Sequence, residues 1–410
     1  MESIRELYRV GNGPSSSHTM GPTKAADIFK QQHKDAASFT VTLYGSLAAT
    51  GKGHLTDVAI TRVLAPAPVD ILWKPNEILP LHPNGMRFEA LDSDGNAMGN
   101  WETYSVGGGT IRDARNWETK IKPVYPLSSM DKVLTWCEEN GSSLWEFVVQ
   151  SEGKEILTFL ETIWKAMETS LRRGLKTEGL LPGTLHLARK AASYHIKAIN
   201  ASHAVRVIGS VFAYALAVSE ENASGGIVVT APTCGSAGVL PAVLYYLREV
   251  YHFDAERILR ALATAGLIGN LVKKNASISG AEVGCQGEIG TACAMASAAA
   301  AQLLGGTVPQ IEYAAEMGME HHLGLTCDPV EGYVQIPCIE RNAVAAGRAL
   351  HCSTFALFSD GHHRISFDEV ITTMRETGLD MGTCYKETAC SGLARHWLDS
   401  ERGAKRRSDE

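Results

Sequence analysis

Between residues 155 and 358 apolar side chains return at helical spacing in segment after segment, and this long helical half most limits what the chain can fold into. Residues 155–174 place Ile156, Leu160, Ile163, Trp164, Met167 and Leu171 on one face. Similar spacing predicts helices over 185–200, 205–219, 236–250, 254–271, 289–304 and 342–358. The stretch CAMASAAAAQLLGG at 293–306 is dense in small residues, as in a helix packed inside a bundle. The first 130 residues read differently. Residues 23–33 are helical in pattern, with Ala26, Ile28 and Phe29 together. Residues 38–48 alternate like a strand, and 58–65 and 69–73 suit a strand or short helix. Residues 87–106 form a hairpin pattern about Asp94-Gly95, which Gly107, Gly108 and Gly109 end. The expected architecture is an α+β N-terminal domain, residues 1–135, followed by a larger all-α C-terminal domain, residues 150–400. A Pro/Gly/Ser-flavoured break near 123–150 separates them. A charged tail, read as frayed, closes the chain at 401–410.

Composition excludes several classes. With 45% hydrophobic and 20% charged residues the 410-residue chain is not largely disordered. Lys+Arg number 38 against 45 Asp+Glu, a net charge of -7, so a chain-wide basic footprint for nucleic acid is absent. No run of 18 apolar residues suits a membrane span, and MESIRELYRVGNG lacks the apolar region of a secretory signal. The expected setting is the cytoplasm, where thiols stay reduced.

Three segments look chemical. GPSSSHTMGP, residues 13–22, gathers Ser15, Ser16, Ser17, His18 and Thr19 directly before a helix. Hydroxyls and free helix N–H groups suit a carboxylate or phosphate, and they equally suit an N-cap rich in hydroxyls. GSLAATGKGHLTD, residues 45–57, follows a strand and carries Lys52, His54 and Asp57. Five residues separate Gly45 from Gly51-Lys52 where a phosphate-binding loop has four, so nucleotide binding is rejected. A histidine in a flexible glycine loop suits a general base, and one histidine of 14 also suits a satisfied structural side chain.

The third segment set holds cysteines. Eight of the nine cysteines follow residue 200, which in a reducing compartment favours metal binding, catalysis or burial over disulfides. No C-x₂-C spacing occurs, so zinc-ribbon and ferredoxin patterns are excluded. Cys285, Cys327 and Cys338 have Gly, Asp or Pro neighbours, whereas Cys293 lies in an apolar helical run. Spacing leaves both metal ligation and simple burial open for the three.

GPSSSHTMGP, YGSLAATGKGHLTD, NASISGAEVGCQGEIG, DPVEGYVQIPCIERNA and YKETACSGLA together resemble the iron–sulfur-dependent L-serine dehydratases, also called L-serine ammonia-lyases. The likeness runs in order from about residue 2 to about residue 395. It implies a β domain fused to a helical α domain in a cytosolic enzyme that converts L-serine to pyruvate and ammonia. It implies a [4Fe-4S] cluster held by Cys285, Cys327 and Cys338. It implies His54 as catalytic base and the Ser15–Thr19 segment as lining the substrate site. Ser277 and Ser279, near the first cysteine, are further candidates to touch substrate or cluster. Members of the family often carry a cysteine at the C-terminus that covers the open iron, but no cysteine follows Cys390 here. The fourth position then falls to water, Cys384 or Cys390, and Cys234 in TAPTCGSAG is another conceivable thiol. L-Serine is the expected small-molecule partner, with no nucleic acid and no membrane, and a homodimer the expected symmetric state. Two rivals remain: a pyridoxal-phosphate dehydratase built on Lys52 and the 224–238 segment, and a non-catalytic amino-acid sensor.

Overall fold

Residues 1–117 and 123–408 are described in the computed structural model. The alternating N-terminal pattern forms one sheet. After a short strand β1 (Val10–Asn12) come helix α1 (Gly21–Gln32), strand β2 (Ser38–Tyr44), helices α2 (Gly45–Thr50) and α3 (Thr56–Leu64), and strands β3 (Val69–Lys74), β4 (Gly85–Leu91), β5 (Ala97–Ser105) and β6 (Ile111–Arg112). The sheet order is β3-β2-β4-β5-β6, with only the β2–β3 pair parallel. That pair needs a crossover, which α2 and α3 supply. Phe29, Phe39, Val41, Leu43, Ile60 and Phe88 close a separate small core between sheet and helices. The hairpin turn sits where Asp94-Gly95 predicts it: Asp92 Oδ1 accepts from the Asp94 and Asn96 N–H groups, and Gly95 adopts φ +84°.

The helical part begins earlier than expected. The 123–150 stretch contains α4 (Met130–Asn140) and α5 (Leu144–Glu152). Met130, Val133 and Cys137 supply an apolar face to α4, and Gly141 ends it at φ +58°. Ser143 and Glu146 form a capping box on α5, a device worth about 1 kcal/mol. The serines and glycines that resembled a linker are therefore caps. There follow α6 (Glu155–Gly174), α7 (Ala191–Ile199), α8 (His203–Ala223), strand β7 (Ile227–Val229), α9 (Val239–Tyr251), α10 (Ala255–Asn275), α11 (Gly280–Val283), α12 (Thr291–Leu303), α13 (Val308–Glu320), α14 (Cys338–Phe358), α15 (Phe367–Asp380) and α16 (Gly392–Ser408). The tail expected to fray is helical through Ser408, and residues 409 and 410 lie outside the described residues.

As its composition predicts, α12 is central and buried on all sides, packed by α9, α10, α13 and α14. Small residues permit the close approach: a Cβ on Gly318 would meet the Ala294 Cα at 2.8 Å. This half is not purely helical, because β7 pairs antiparallel with β1. Ile4, Leu7 and Tyr8 are buried within the larger helical core rather than against the sheet. The N-terminal segment thus ties the two parts together. Among the described residues no helix is long and apolar enough to cross a membrane.

Candidate functional site

A cavity of about 300 Å³ opens where the two parts meet. Ser15, Ser16 and Ser17 line it from one side, His54 from another, and Ser277, Ser279, Cys285, Cys327 and Cys338 from the helical part. Residues far apart in sequence therefore face one space.

Two π-helical turns shape it, each leading into a long helix. Ser16–Met20 precedes α1, and Gln286–Gly290 precedes α12. Ser15 caps the first turn by accepting from the His18 N–H at 3.1 Å. His18 and Thr19 do not line the cavity, contrary to the expectation that the whole SSSHT segment does. His18 is wholly buried, with Ser17 Oγ 2.9 Å from Nδ1 and Ser46 Oγ 3.0 Å from Nε2. Its ring lies against that of His54, centroids 4.6 Å apart. The Thr19 hydroxyl donates to the His54 carbonyl at 2.8 Å. The segment thus divides into serines that face the cavity and two residues that brace His54.

The glycine loop is not flexible as expected. Gly45–Thr50 winds into α2, and His54 is fully buried. Gly53 backs so closely onto the 331–332 turn that a Cβ there would meet the Gly332 carbonyl carbon at 2.9 Å. Only glycine lets this N-terminal loop press against the loop between Cys327 and Cys338. His54 Nδ1 lies 3.0 Å from the Thr50 carbonyl oxygen. A carbonyl only accepts, so Nδ1 carries the hydrogen and Nε2 the lone pair. Nε2 is buried without a hydrogen-bond partner, and burial lowers the imidazole pKa to about 4. The ring is a neutral base.

Cys285 follows α11, Cys327 lies in a loop, and Cys338 is the first residue of α14, where the positive helix end favours a thiolate. Ligand atoms of Cys285, Glu288 and Cys327 lie within 4.8 Å of one another, and Cys338 stands outside that tight set. A hydrogen bond with Cys285, then burial, pushes the Cys327 thiol up; burial, then Cys285, does so for Cys338. Binding of a cation would reverse this by selecting the thiolates. Thiolate-rich sets select zinc, copper(I) or iron–sulfur clusters, so the donors fit a cluster. Close approach of Gly280 makes room: a Cβ there would stand 2.7 Å from Glu288 Oε2 and 3.2 Å from Cys327 Sγ.

Several sequence candidates fall elsewhere. Cys384 and Cys390 are exposed and do not line the cavity. Cys234 is buried with its Sγ directed at Met20 Sδ, 3.8 Å away. Cys293 is core, as expected, and its Sγ contacts the Ala345 carbonyl at 3.4 Å. Lys52, the lysine named for a pyridoxal-phosphate site, lies over the Trp73 ring outside the cavity.

Of the five glutamates that line the cavity, Glu288 and Glu387 lie nearest the thiols and His54. Glu288 Oε1 accepts from Thr233 Oγ1 at 2.7 Å. Glu387 has Oε1 3.7 Å from His54 Nε2, and burial with nearby Glu288 raises its pKa to about 8. Both lie inside the quoted motifs, but among 45 acidic residues nothing in the sequence marks them.

Comparisons with known proteins cover both parts of the chain. The family model described as serine dehydratase beta chain matches residues 3–68, and that described as serine dehydratase alpha chain matches 74–394. Relatives include an L-serine dehydratase of Haemophilus influenzae, 43% identical over 96% of this chain and 99% of its own length. L-serine dehydratase 1 of Escherichia coli is 42% identical over the same shares. An L-serine dehydratase of Helicobacter pylori is 37% identical over 96% and 98%.

Proposed function

We propose a reaction, a cofactor and a ligand set from one premise: this chain belongs to the serine dehydratase family. The reaction is the deamination of L-serine to pyruvate and ammonia, that of an L-serine ammonia-lyase. The observation that carries it is the unpartnered Nε2 lone pair of His54, buried and turned into the cavity that three cysteine thiols also line.

In this reading Cys285, Cys327 and Cys338 hold a [4Fe-4S] cluster. Once bound there, the cluster supplies a Lewis-acidic iron, which suits a poor leaving group such as hydroxide. Ser15, Ser16 and Ser17 offer hydroxyls to the substrate carboxylate, with Ser277 and Ser279 on the opposite side. The Ser277 hydroxyl already donates to Glu282, so it contributes chiefly a lone pair. His54 Nε2 takes the α-proton. The pair left on Cα forms the Cα–Cβ double bond as hydroxide leaves Cβ, and the proton taken by His54 balances the hydroxide as water. Aminoacrylate then tautomerises to the imine and is hydrolysed. Thr50, Thr19 and His18 keep the imidazole in place throughout.

The same reading takes the chain as a cytoplasmic homodimer. It divides the chain into an N-terminal α+β unit and a helical catalytic unit that begins at α4. Anaerobic purification with iron counting, a visible spectrum and a serine-to-pyruvate assay tests it. Iron–sulfur absorbance with pyruvate release is the expected result. Protein without iron, or loaded protein without turnover, overturns it.

A further inference from the structure

Glu387 is a half-buried carboxyl to which the reaction above gives no task. It lines the cavity with its side chain 14% exposed. Its backbone adopts φ +59°, a conformation that a residue with a Cβ holds only when its surroundings impose it. Here the neighbouring loop does so: the Cys327 N–H donates to the Tyr385 carbonyl at 2.8 Å, and the Glu387 N–H donates to the Cys327 carbonyl at 2.7 Å. The Glu387 backbone is thereby fixed relative to a loop that carries a proposed ligand.

Among the described residues its only ion-pairing neighbour is His54, with Oε1 3.7 Å from Nε2. In the tautomer set by Thr50 that nitrogen bears no hydrogen and gives Glu387 no donor. Glu288, the other carboxyl at this end, is engaged by the Thr233 hydroxyl at 2.7 Å and lies 3.9 Å from Cys285 Sγ. Glu387 is the one facing a gap.

An α-amino acid carries its α-hydrogen and its α-ammonium group on the same carbon. A base atom and a carboxylate oxygen 3.7 Å apart can address both substituents at once. We propose that Glu387 receives the substrate's α-ammonium group, so that the site selects an α-amino acid over the corresponding 2-hydroxy acid. The assignment rests on the serine reading of the same cavity and deepens it. An arriving ammonium favours the ionised form of Glu387, and the charge-assisted N–H···O bond that results both binds and orients. With the ammonium on Glu387 and the carboxylate on the serine hydroxyls, one rotation of Cα remains, and it presents the α-hydrogen to His54.

The test uses cluster-loaded, full-length protein. Its probes are L-serine and L-glycerate, which differ only in ammonium against hydroxyl. In Glu387→Gln, iron content and visible spectrum stay at wild-type level. The KM for L-serine rises roughly 30-fold or more, the scale for truncating one partner of a buried charge pair. Inhibition by L-glycerate changes by less than threefold, because that ligand brings no ammonium. A serine KM within threefold of wild type, or parallel weakening of both ligands, overturns the assignment. Should Glu387→Gln fail to hold iron, Glu387→Asp decides by the same pair of constants: selective loss of serine supports the proposal and parallel loss overturns it. Failure of the underlying reading is separate, since wild-type protein would then release no pyruvate from serine.

Discussion

The Thr50 carbonyl accepts the Nδ1 hydrogen of His54 at 3.0 Å, and that bond decides which ring nitrogen faces the cavity. Because Thr50 lies one helical turn before His54, the tautomer is fixed locally, before any substrate arrives. We expect His54→Ala to keep its iron and to lose roughly 10²-fold or more in kcat, the scale for removal of a general base. Thr19→Val, which removes the brace on the His54 carbonyl, should lower kcat less and leave iron unchanged. Near-normal kcat in iron-replete His54→Ala removes the residue from the mechanism.

The cysteines sort by what surrounds them. Cys285→Ser, Cys327→Ser and Cys338→Ser should each lose iron and turnover, because all three thiols face the cavity. Cys293→Ser and Cys352→Ser sit in the helical core, and Cys384→Ser and Cys390→Ser on the surface; all four should keep both. Iron per chain after anaerobic reconstitution, beside the pyruvate assay, checks the set.

Gly280 is needed for space rather than for backbone freedom. Gly280→Ala should fold normally by circular dichroism yet retain less iron, since its new methyl displaces Glu288 or Cys327. Full iron content in that variant would show that the neighbours relax without harm.

A pH effect away from the cavity follows from Glu316 on α13. Burial first, then Glu320 and Glu312, raises its pKa from 4.5 to about 8. The folded state therefore binds a proton that the unfolded chain has released. Folding is favoured below the unfolded value, and this contribution is lost as pH rises through about 8. Glu316→Gln removes the linkage. Its urea midpoint relative to wild type should rise between pH 5 and pH 9, and a constant difference across that range would refute the assignment.

Much of the fold was legible because local physics carried it. Alternation predicted β2 and the β4–β5 hairpin, Asp94-Gly95 its turn, and helical spacing the bounds of α6. Small-residue density foretold the burial of α12. Serine and glycine serve both as linkers and as caps, as at Ser143 and Gly141, so composition alone does not distinguish α4 and α5 from a break.

The site divides along the same line. The sequence by itself determined the residue types and their motif order, and through the family resemblance pointed to His54, Ser15–Thr19, Ser277, Ser279 and three cysteines. Only the tertiary structure decided that His18 and Thr19 stand behind His54 rather than beside the substrate, that Cys384 and Cys390 lie outside the cavity, and that Glu387 lies 3.7 Å from Nε2. The reason is physical. A motif records neighbours along the chain, whereas burial, tautomer and charge pairing depend on neighbours in space. The parts that set them here, α2, the 327–338 loops and the 383–390 segment, are far apart in sequence and meet only in the folded chain.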